Sequence, residues 1–253
     1  MILKYIYLII IFNIIIAKSL IAEDTIINFE DGSSYKGGVV DGVMEGRGVF
    51  LSSERTNNTI LKYEGDFKDG KFHGTGTLEF NNGDLYNGGF ALGLMHGKGT
   101  LKYQNGSIYE GLFLNGKKDG KGKLTYSDGV VYTGDFIKDR IEGIGKIVYE
   151  EGNEYTGEFS NNLMHGNGEI TFIDGSSYKG EFMNGNYHGK GIFTFPDGTY
   201  YDGEFINGIR EGKGLLVYID NTRQSGFFKN GKFIGEVVTT FPDGTVQKKT
   251  VKE

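Results

Sequence analysis

The sequence predicts an all-β fold, in which stacked β-hairpins form one elongated, twisted antiparallel sheet. Three observations predict it. Tyrosine recurs every 23 residues over most of the chain, glycine and phenylalanine recur at fixed offsets from it, and Asn-Gly or Asp-Gly pairs close most units. A fixed period of this length is typical of repeat proteins, in which each unit packs on its neighbours.

The composition is that of a folded, acidic chain. Its 253 residues include 43 Gly, 16 Tyr and 19 Phe, with 2 Pro and no Cys or Trp. The aromatic residues supply the burial that disordered chains lack. Without cysteine, disulfides, thiolate metal sites and a cysteine nucleophile are excluded. The net charge is −6, and an acidic exterior is a poor partner for nucleic acid.

The first 22 residues are typical of a secretory signal peptide. Lys4 precedes a nearly continuous apolar stretch, residues 5–17, and small residues follow at Ala17, Ser19 and Ala22. The stretch is shorter than the roughly 20 residues of a comfortable membrane span. We therefore expect an extracytoplasmic protein (secreted, periplasmic or envelope-associated), cleaved after Ser19 or Ala22. An uncleaved N-terminal anchor is the alternative.

The repeat domain covers residues 35–246, after a lead-in strand and turn at 23–34 and before a C-terminal tail at 247–253. Numbered from the tyrosine as position 1, positions 3 and 12 are glycine in every unit, and position 5 is Phe in all units but the first. The first unit is longer by five residues, which we place in the segment 52–61. The last unit departs most from the pattern, as a terminal cap should.

Each unit is predicted to be a hairpin. Side chains alternate along a strand, so positions 1, 3 and 5 share one face, as do positions 12, 14, 16 and 18 of the returning strand. Position 8 is glycine, Asp139 or Asn162, which tolerate a positive φ in a turn. The pairs at positions 20–21, such as Asn82-Gly83, predict a two-residue turn into the next hairpin. Eight to nine units would extend for roughly 80 Å.

The two faces of the sheet are predicted to differ. Glycines at positions 3, 12 and 14 are expected beside the rings of positions 1, 5 and 18, where they leave room for the rings to lie across the backbone. The other face is mostly Thr, Lys, Glu and Asp. It becomes apolar near the C-terminus, at Ile192, Leu215, Val217, Phe227 and Val238.

The pattern Y-x-G-x-F-x-x-G-x-x-x-G-x-G-x-L-x-Y-x-x-G resembles the MORN repeat (membrane occupation and recognition nexus), in eight or nine copies from Phe29 to Val246. The resemblance implies an elongated, twisted sheet of stacked hairpins. It also implies a scaffold or binding platform, often near membranes. Some members carry the repeats beside an enzymatic domain, which we do not expect here because repeats occupy the chain up to residue 247.

The aromatic ladder is the candidate binding surface for a protein partner. Exposed rims of its rings would form a long groove, for which tyrosine is well suited. The alternative is that the rings only pack the sheet together, and the two roles are compatible. The ladder comprises Tyr63, Phe67, Tyr86, Phe90, Tyr109, Phe113, Tyr132, Phe136, Tyr155, Phe159, Tyr178, Phe182, Tyr201 and Phe205.

Two other functions stay open beside a protein-binding scaffold. A peripheral phospholipid-binding protein would use the basic cluster Lys117, Lys118, Lys121 and Lys123, although the net acidity disfavours anionic headgroups unless binding is local. A homodimeric structural envelope protein would associate through exposed strand edges or the apolar C-terminal patch.

Neither a metal nor a cofactor is expected from the histidines. All four, His73, His96, His165 and His188, occupy position 11. Equivalent residues of neighbouring units lie about 10 Å apart, whereas a metal–nitrogen bond is about 2 Å long. A polar residue near the turn is the favoured interpretation.

The acidic residues and the glycine loops give no sign of an enzyme. The carboxylates at position 4, densest from Asp135 to Glu204, form an open row, which favours a solvated ladder over an acid–base pair. Weak calcium binding by this row is the alternative. The stretch GLMHGKGT at 93–100 approaches a phosphate-binding loop, but it recurs at the same place in other units and marks the hairpin turn.

Overall fold

The computed structural model describes residues 22–53 and 60–252, whose regular secondary structure is 20 β-strands. The predicted signal peptide lies outside the described residues, except for Ala22. The strands are Ala22–Asn28 (β1), Ser34–Val40 (β2), Val43–Leu51 (β3), Ile60–Lys68 (β4), Lys71–Phe80 (β5), Leu85–Ala91 (β6), Leu94–Lys102 (β7), Ile108–Leu114 (β8), Lys117–Thr125 (β9), Val131–Ile137 (β10), Arg140–Val148 (β11), Glu154–Ser160 (β12), Leu163–Thr171 (β13), Ser177–Met183 (β14), Asn186–Thr194 (β15), Tyr200–Ile206 (β16), Ile209–Val217 (β17), Arg223–Lys229 (β18), Lys232–Thr240 (β19) and Val246–Val251 (β20).

The strands form a single open meander. Each pairs antiparallel with the strand before and after it in the chain, so that β1 and β20 are the two ends. The fold class predicted from the sequence is confirmed. β1 lies in the lead-in segment, and β20 takes up most of the segment interpreted as a tail. The extra residues of the first unit fall between β3 and β4, where residues 54–59 lie outside the described part.

A continuous row of glycines crosses the sheet beneath the tyrosine rings. Gly134 at position 3, for example, lies opposite Gly145 of its own unit and Gly122 of the unit before. The space that a side chain would need on these glycines is taken by tyrosine: a Cβ on Gly145 would come within 2.6 Å of the Tyr132 hydroxyl. The predicted role of the glycines at positions 3 and 14, making room for rings, is confirmed.

The tyrosine hydroxyl fixes each ring across this row. In the eight units that carry the tyrosine, the hydroxyl donates a hydrogen bond of 2.8 to 3.1 Å to the backbone carbonyl of position 4. In one of these, Tyr132 donates to Asp135. A buried hydroxyl without a partner would be costly, so this bond is a condition of burying the ring.

Phenylalanine at position 5 joins consecutive tyrosines. Phe136 meets Tyr132 of its own unit edge-on, with ring centroids 5.2 Å apart, and Tyr109 of the preceding unit at 5.0 Å. The same pairs repeat from Tyr35 to Phe228. Edge-to-face contact is a favourable geometry for aromatic rings. The core is therefore one aromatic chain along the sheet.

The positive φ predicted at position 8 is confirmed, but the two-residue turn lies there and not at positions 20–21. Positions 7 and 8 both have positive φ, as in Asn115 (50°) and Gly116 (81°), and form the two-residue turn. Positions 20–21 belong to a three-residue loop, in which only position 21 has positive φ, as in Gly106 (92°) and, in the unit without this glycine, Asn221 (67°). There the side chain of Asn105 accepts the backbone N–H of Ser107 at 2.9 Å. The prediction of a two-residue turn at positions 20–21 is wrong, because the Asn or Asp side chain caps the loop instead.

A β-bulge at position 12 interrupts each hairpin. The register shifts between the pairs Gly157–Gly168 and Glu158–His165, for example. Gly166 occupies this bulge with φ 59°, and a Cβ there would meet the Glu158 carboxylate on the face away from the rings. The prediction that position 12 shares the ring face is therefore wrong, because the positive φ reverses the direction of its missing side chain.

The last unit lacks both the tyrosine of position 1 and the glycine of position 14. Gln224 replaces the tyrosine, and Val237, which is 6% exposed, replaces the glycine of position 14. The ring of Phe233 lies over Gly226, where a Cβ would be 3.1 Å from its edge. Other side chains thus fill the space that tyrosine fills elsewhere.

We expect Gly203→Ala to lower the free energy of unfolding by about 3 kcal/mol, because a Cβ would overlap both the Tyr201 ring and the facing backbone of Gly214. Gly226→Ala is the matched control, at the same position of the unit without tyrosine, and should cost clearly less. Urea denaturation, with hydrogen exchange of the β16 and β17 amides, measures both. Equal losses would contradict the role given to the ring.

Candidate binding surfaces

The rings of the predicted ladder form the core of the sheet. All fourteen, from Tyr63 and Phe67 to Tyr201 and Phe205, are between 0 and 4% exposed. Each is covered by the glycine row, by its neighbours in the aromatic chain and by side chains such as Phe72, which stacks on Tyr63 at 3.9 Å. The prediction that their rims form an exposed groove is therefore wrong, because no rim remains uncovered.

The four lysines of the predicted lipid contact do not form one patch. Lys118 lies on the ring face, within 6 Å of three ring centroids, whereas Lys117, Lys121 and Lys123 alternate onto the other face. Lys121 is already paired with Asp135, with Nζ and Oδ1 2.7 Å apart. The prediction of one basic cluster is wrong, because the bulge and the alternation of β9 divide it between two faces.

The face opposite the rings carries a shallow groove that follows the glycine row. Its floor is glycine backbone, and its walls are the side chains of positions 2, 4, 13 and 15. Three hollows of about 490, 570 and 710 Å³ lie along it. They are centred on Gly99, Gly134 and Gly226 respectively. We call this feature the glycine-face groove.

The glycine-face groove is basic in the middle and apolar near the C-terminus. The two middle hollows are lined by Lys98, Lys121, Lys123 and Lys146. These lysines come from consecutive units, so they form a row along the groove. The basic character is local, since the whole chain carries a net charge of −6.

The apolar end of the groove surrounds Phe227. This ring is 52% exposed, and Leu215, Ile234 and Val238 line the same hollow. The apolar patch predicted near the C-terminus is therefore present, except for Val217, which is 5% exposed and offers no surface. Ile234 was missed in the sequence because position 11 is polar in the other units.

The acidic row at position 4 is anchored on the bulges. Glu158 Oε1 accepts the backbone N–H of Asn167 at 2.8 Å, and Glu181 Oε1 accepts that of Lys190 at 3.1 Å. Asp66 makes the equivalent bond in its unit. These carboxylates stabilise the interrupted ladder by pairing amides that the bulge frees. They do more than keep the surface solvated.

Three of the four histidines lie next to this acidic row, on the strand that follows each turn, whereas His96 belongs to a unit whose position 4 is Gly89. His165 is opposite Glu158, and His188 is opposite Glu181. Within residues 22–53 and 60–252, no group of three or more His, Asp and Glu side chains could hold a metal ion.

In the same part of the chain, no helix has the length and apolarity to cross a membrane.

The repeated hairpin places this chain in the class of open, single-layer repeat proteins. Comparison with known families supports the same class. The family profile described as MORN repeat matches residues 35–54, 63–85, 86–108, 109–131, 132–154, 155–177, 178–200 and 201–223. The chain belongs to the MORN-repeat family. Comparison with curated protein sequences finds no significant match.

Several solved structures are distantly similar. The TCP10 domain of Danio rerio CPAP is 15% identical, over 89% of this chain and 94% of that one, with a TM-score of 0.45. The G-box domain of the microcephaly protein CPAP is 11% identical over 90% and 99%, with a TM-score of 0.41. The Drosophila melanogaster SAS-4 TCP domain, in complex with a proline-rich motif of Ana2, is 16% identical over 70% and 85%, with a TM-score of 0.30. Similarity this low carries no information about function.

The buried tyrosines predict a loss of stability at alkaline pH. Burial raises the pKa of Tyr86 and of Tyr201 to about 12, from an ordinary value of about 10. A pKa raised by folding means that the stabilising contribution is complete below pH about 10 and is lost between about 10 and 12. Absorbance of tyrosinate and circular dichroism of the strands should therefore change together in that window. Ionisation of all sixteen tyrosines at pH about 10 with the strands intact would contradict the burial of the eight that lie at position 1.

Proposed function

We propose that this protein is a non-catalytic scaffold that holds a protein partner in the glycine-face groove. The observation that carries the proposal is the exposed Phe227 in an apolar hollow, at the end of a groove with a polar rim. A central apolar anchor with polar surroundings is the usual composition of a protein interface. The rings of positions 1 and 5 on the ring face are used in the core, and the position-18 ring of Tyr126, at 37%, is less exposed than Phe227, at 52%.

The charge pattern of the groove indicates the kind of partner. Of the lysine row from Lys98 to Lys146, Lys121 and Lys146 are already paired with carboxylates of this chain. Lys98 and Lys123 make no ion pair among the described residues, so they suit a segment with acidic side chains. The hollow at Phe227 suits apolar side chains further along the same partner. Electrostatic complementarity of this kind mainly sets the register and speeds association, while the apolar contacts supply most of the affinity.

Membership in the MORN-repeat family supports this role. Proteins of the family typically serve as binding platforms, often close to membranes. The division of Lys117, Lys118, Lys121 and Lys123 between two faces gives a phospholipid-binding function less support than a protein-binding one.

We also propose that the scaffold works outside the cytoplasm. The support is the sequence of residues 1–22, with Lys4, the apolar stretch and the small residues that follow. Cleavage after Ser19 would leave every strand whole, and cleavage after Ala22 would remove only the first residue of β1. The exported protein would then present its groove in the periplasm, at the envelope or in the medium.

A photo-crosslinking residue at position 227, in cells that make the protein, should give one discrete crosslinked species. The same residue at position 219 is the control, because Ile219 is 71% exposed but lies outside the hollow. Leu215→Glu should reduce the crosslink at position 227 at least fivefold, because a carboxylate in the hollow excludes an apolar anchor. Equal crosslinking at both positions, or no effect of Leu215→Glu, would contradict the proposed site.

Mass spectrometry of the N-terminus tests export. Protein recovered from the extracytoplasmic fraction should begin at Leu20 or Glu23, and Ile10→Arg should retain the chain in the cytoplasm by breaking the apolar stretch. Intact Met1 in a membrane fraction would indicate the uncleaved anchor. Wild-type protein found only in the cytoplasm would contradict export.

A further inference from the structure

Three departures from the repeat meet at one place on the ring face. Position 10 is apolar in most units, but it is Lys118 in the fourth. Position 8 is glycine except at Asp139 and Asn162, in the next two units. All three residues line one cavity of about 340 Å³. Three departures from the repeat pattern therefore lie in the lining of a single cavity, which we call the Lys118 cavity.

The ammonium of Lys118 has no carboxylate partner. Its Nζ donates to the hydroxyl of Tyr103 at 3.2 Å and lies 5.6 and 5.7 Å from the ring centroids of Tyr109 and Phe136. Among the described residues, no carboxylate oxygen lies within 4 Å of it. Burial lowers the pKa of Lys118. The Asp139 carboxylate, which lines the same cavity, opposes this shift without forming an ion pair with the ammonium. A half-buried cation with no counter-ion in contact costs free energy, so an anion from outside would stabilise it.

The two side chains at position 8 hold the floor of the cavity in place. Asp139 Oδ1 accepts the backbone N–H of Lys118 at 2.9 Å, and Asn162 Oδ1 accepts that of Ile141 at 2.8 Å. The lysine backbone is thereby fixed from the neighbouring unit. Asn162 also lines the cavity, and its amide nitrogen makes no hydrogen bond among the described residues.

The remaining walls are aromatic and aliphatic. Tyr103 and Tyr126, which occupy the same position in consecutive units, line the cavity together with Leu124 of β9. The volume is at the small end of ligand pockets, which range from about 300 to 1,000 Å³. The cavity suits a small planar molecule better than the surface of a folded protein.

We propose that the Lys118 cavity binds the carboxylate group of a small organic acid with a planar apolar body. The carboxylate contacts Lys118 Nζ, and the apolar body lies between Tyr103 and Tyr126. The nearby Asp139 carboxylate favours a singly charged ligand, since a phosphate dianion would meet stronger repulsion there.

Arg210 provides an internal comparison for Lys118. It occupies position 10 of its unit and also lies near two rings, Tyr201 and Phe228. Its Nη2, however, donates to the carbonyl of Gly231 at 2.9 Å, so the chain itself accepts a hydrogen bond from this cation. Lys118 donates to no backbone carbonyl among the described residues. We therefore assign Arg210 a role in packing and Lys118 a role in binding.

The test is a titration of the full-length protein with benzoate, followed by the NMR signals of Tyr103 and Tyr126. Saturable shifts are expected in the millimolar range. Lys118→Met should weaken binding at least tenfold while keeping the fold, because methionine occupies the same position at Met95 and Met164. Lys121→Met, on the opposite face of the same strand, is the matched control and should bind as wild type.

Three further ligands separate the contributions of the carboxylate charge, of the kind of anion and of the source of the carboxylate to binding. Benzamide, which has the same shape without the charge, should bind at least tenfold more weakly than benzoate, and inorganic phosphate should not displace benzoate. N-acetylphenylalanine carries the carboxylate of a peptide C-terminus. Tighter binding of it than of benzoate supports a chain terminus as the source, and weaker binding supports a free acid.

The proposal is overturned by any of three results: no saturable shift with benzoate, unchanged binding by the Lys118→Met protein, or equal binding of benzamide and benzoate. Thermal unfolding of each variant shows whether it is folded. Because the Lys118 cavity and the glycine-face groove lie on opposite faces, failure of either proposal leaves the other standing.

Discussion

The structure depends on one contact, in which a tyrosine ring lies flat across two glycines of paired strands. A single-layer sheet has no second layer to cover its backbone, so each unit covers its own. The ring spans the glycines of positions 3 and 14, and its hydroxyl reaches the carbonyl of position 4. Phenylalanine then closes the gap to the next tyrosine. Each unit is thus stabilised mainly by its neighbours, as in other repeat proteins.

This contact also decides where function can reside. The rings of positions 1 and 5 are fully used in packing, so the exposed chemistry lies in the glycine-face groove and at positions where the repeat pattern breaks. Phe227 stands where most units have an acidic residue, and Lys118 stands where most have an apolar one. In a chain of near-identical units, such departures are the residues that packing does not explain.

Much of the fold could be predicted from the sequence, because the period and the alternation define strands and faces directly. The turn types could not, since Asn-Gly and Asp-Gly favour a two-residue turn in isolation but here cap a longer loop through the side chain, as at Asn105. The exposure of the rings could not be predicted either. Alternation tells which residues share a face, whereas the covered fraction of a ring such as Tyr132 depends on neighbouring units. The Lys118 cavity was missed for a related reason: the bulge at Gly120 changes which lysines share a face.

The last unit, which lacks both the tyrosine of position 1 and the glycine of position 14, allows the most direct test of this contact. Gln224→Tyr alone should destabilise the sheet, because Val237 and the Phe233 ring occupy the space that tyrosine fills elsewhere, and Val237→Gly alone should leave a cavity. The double variant should be more stable than either single one, with a favourable coupling of about 2 kcal/mol in the free energy of unfolding. Additive effects of the two substitutions would contradict the claim that the tyrosine ring and the glycine beneath it form one structural unit.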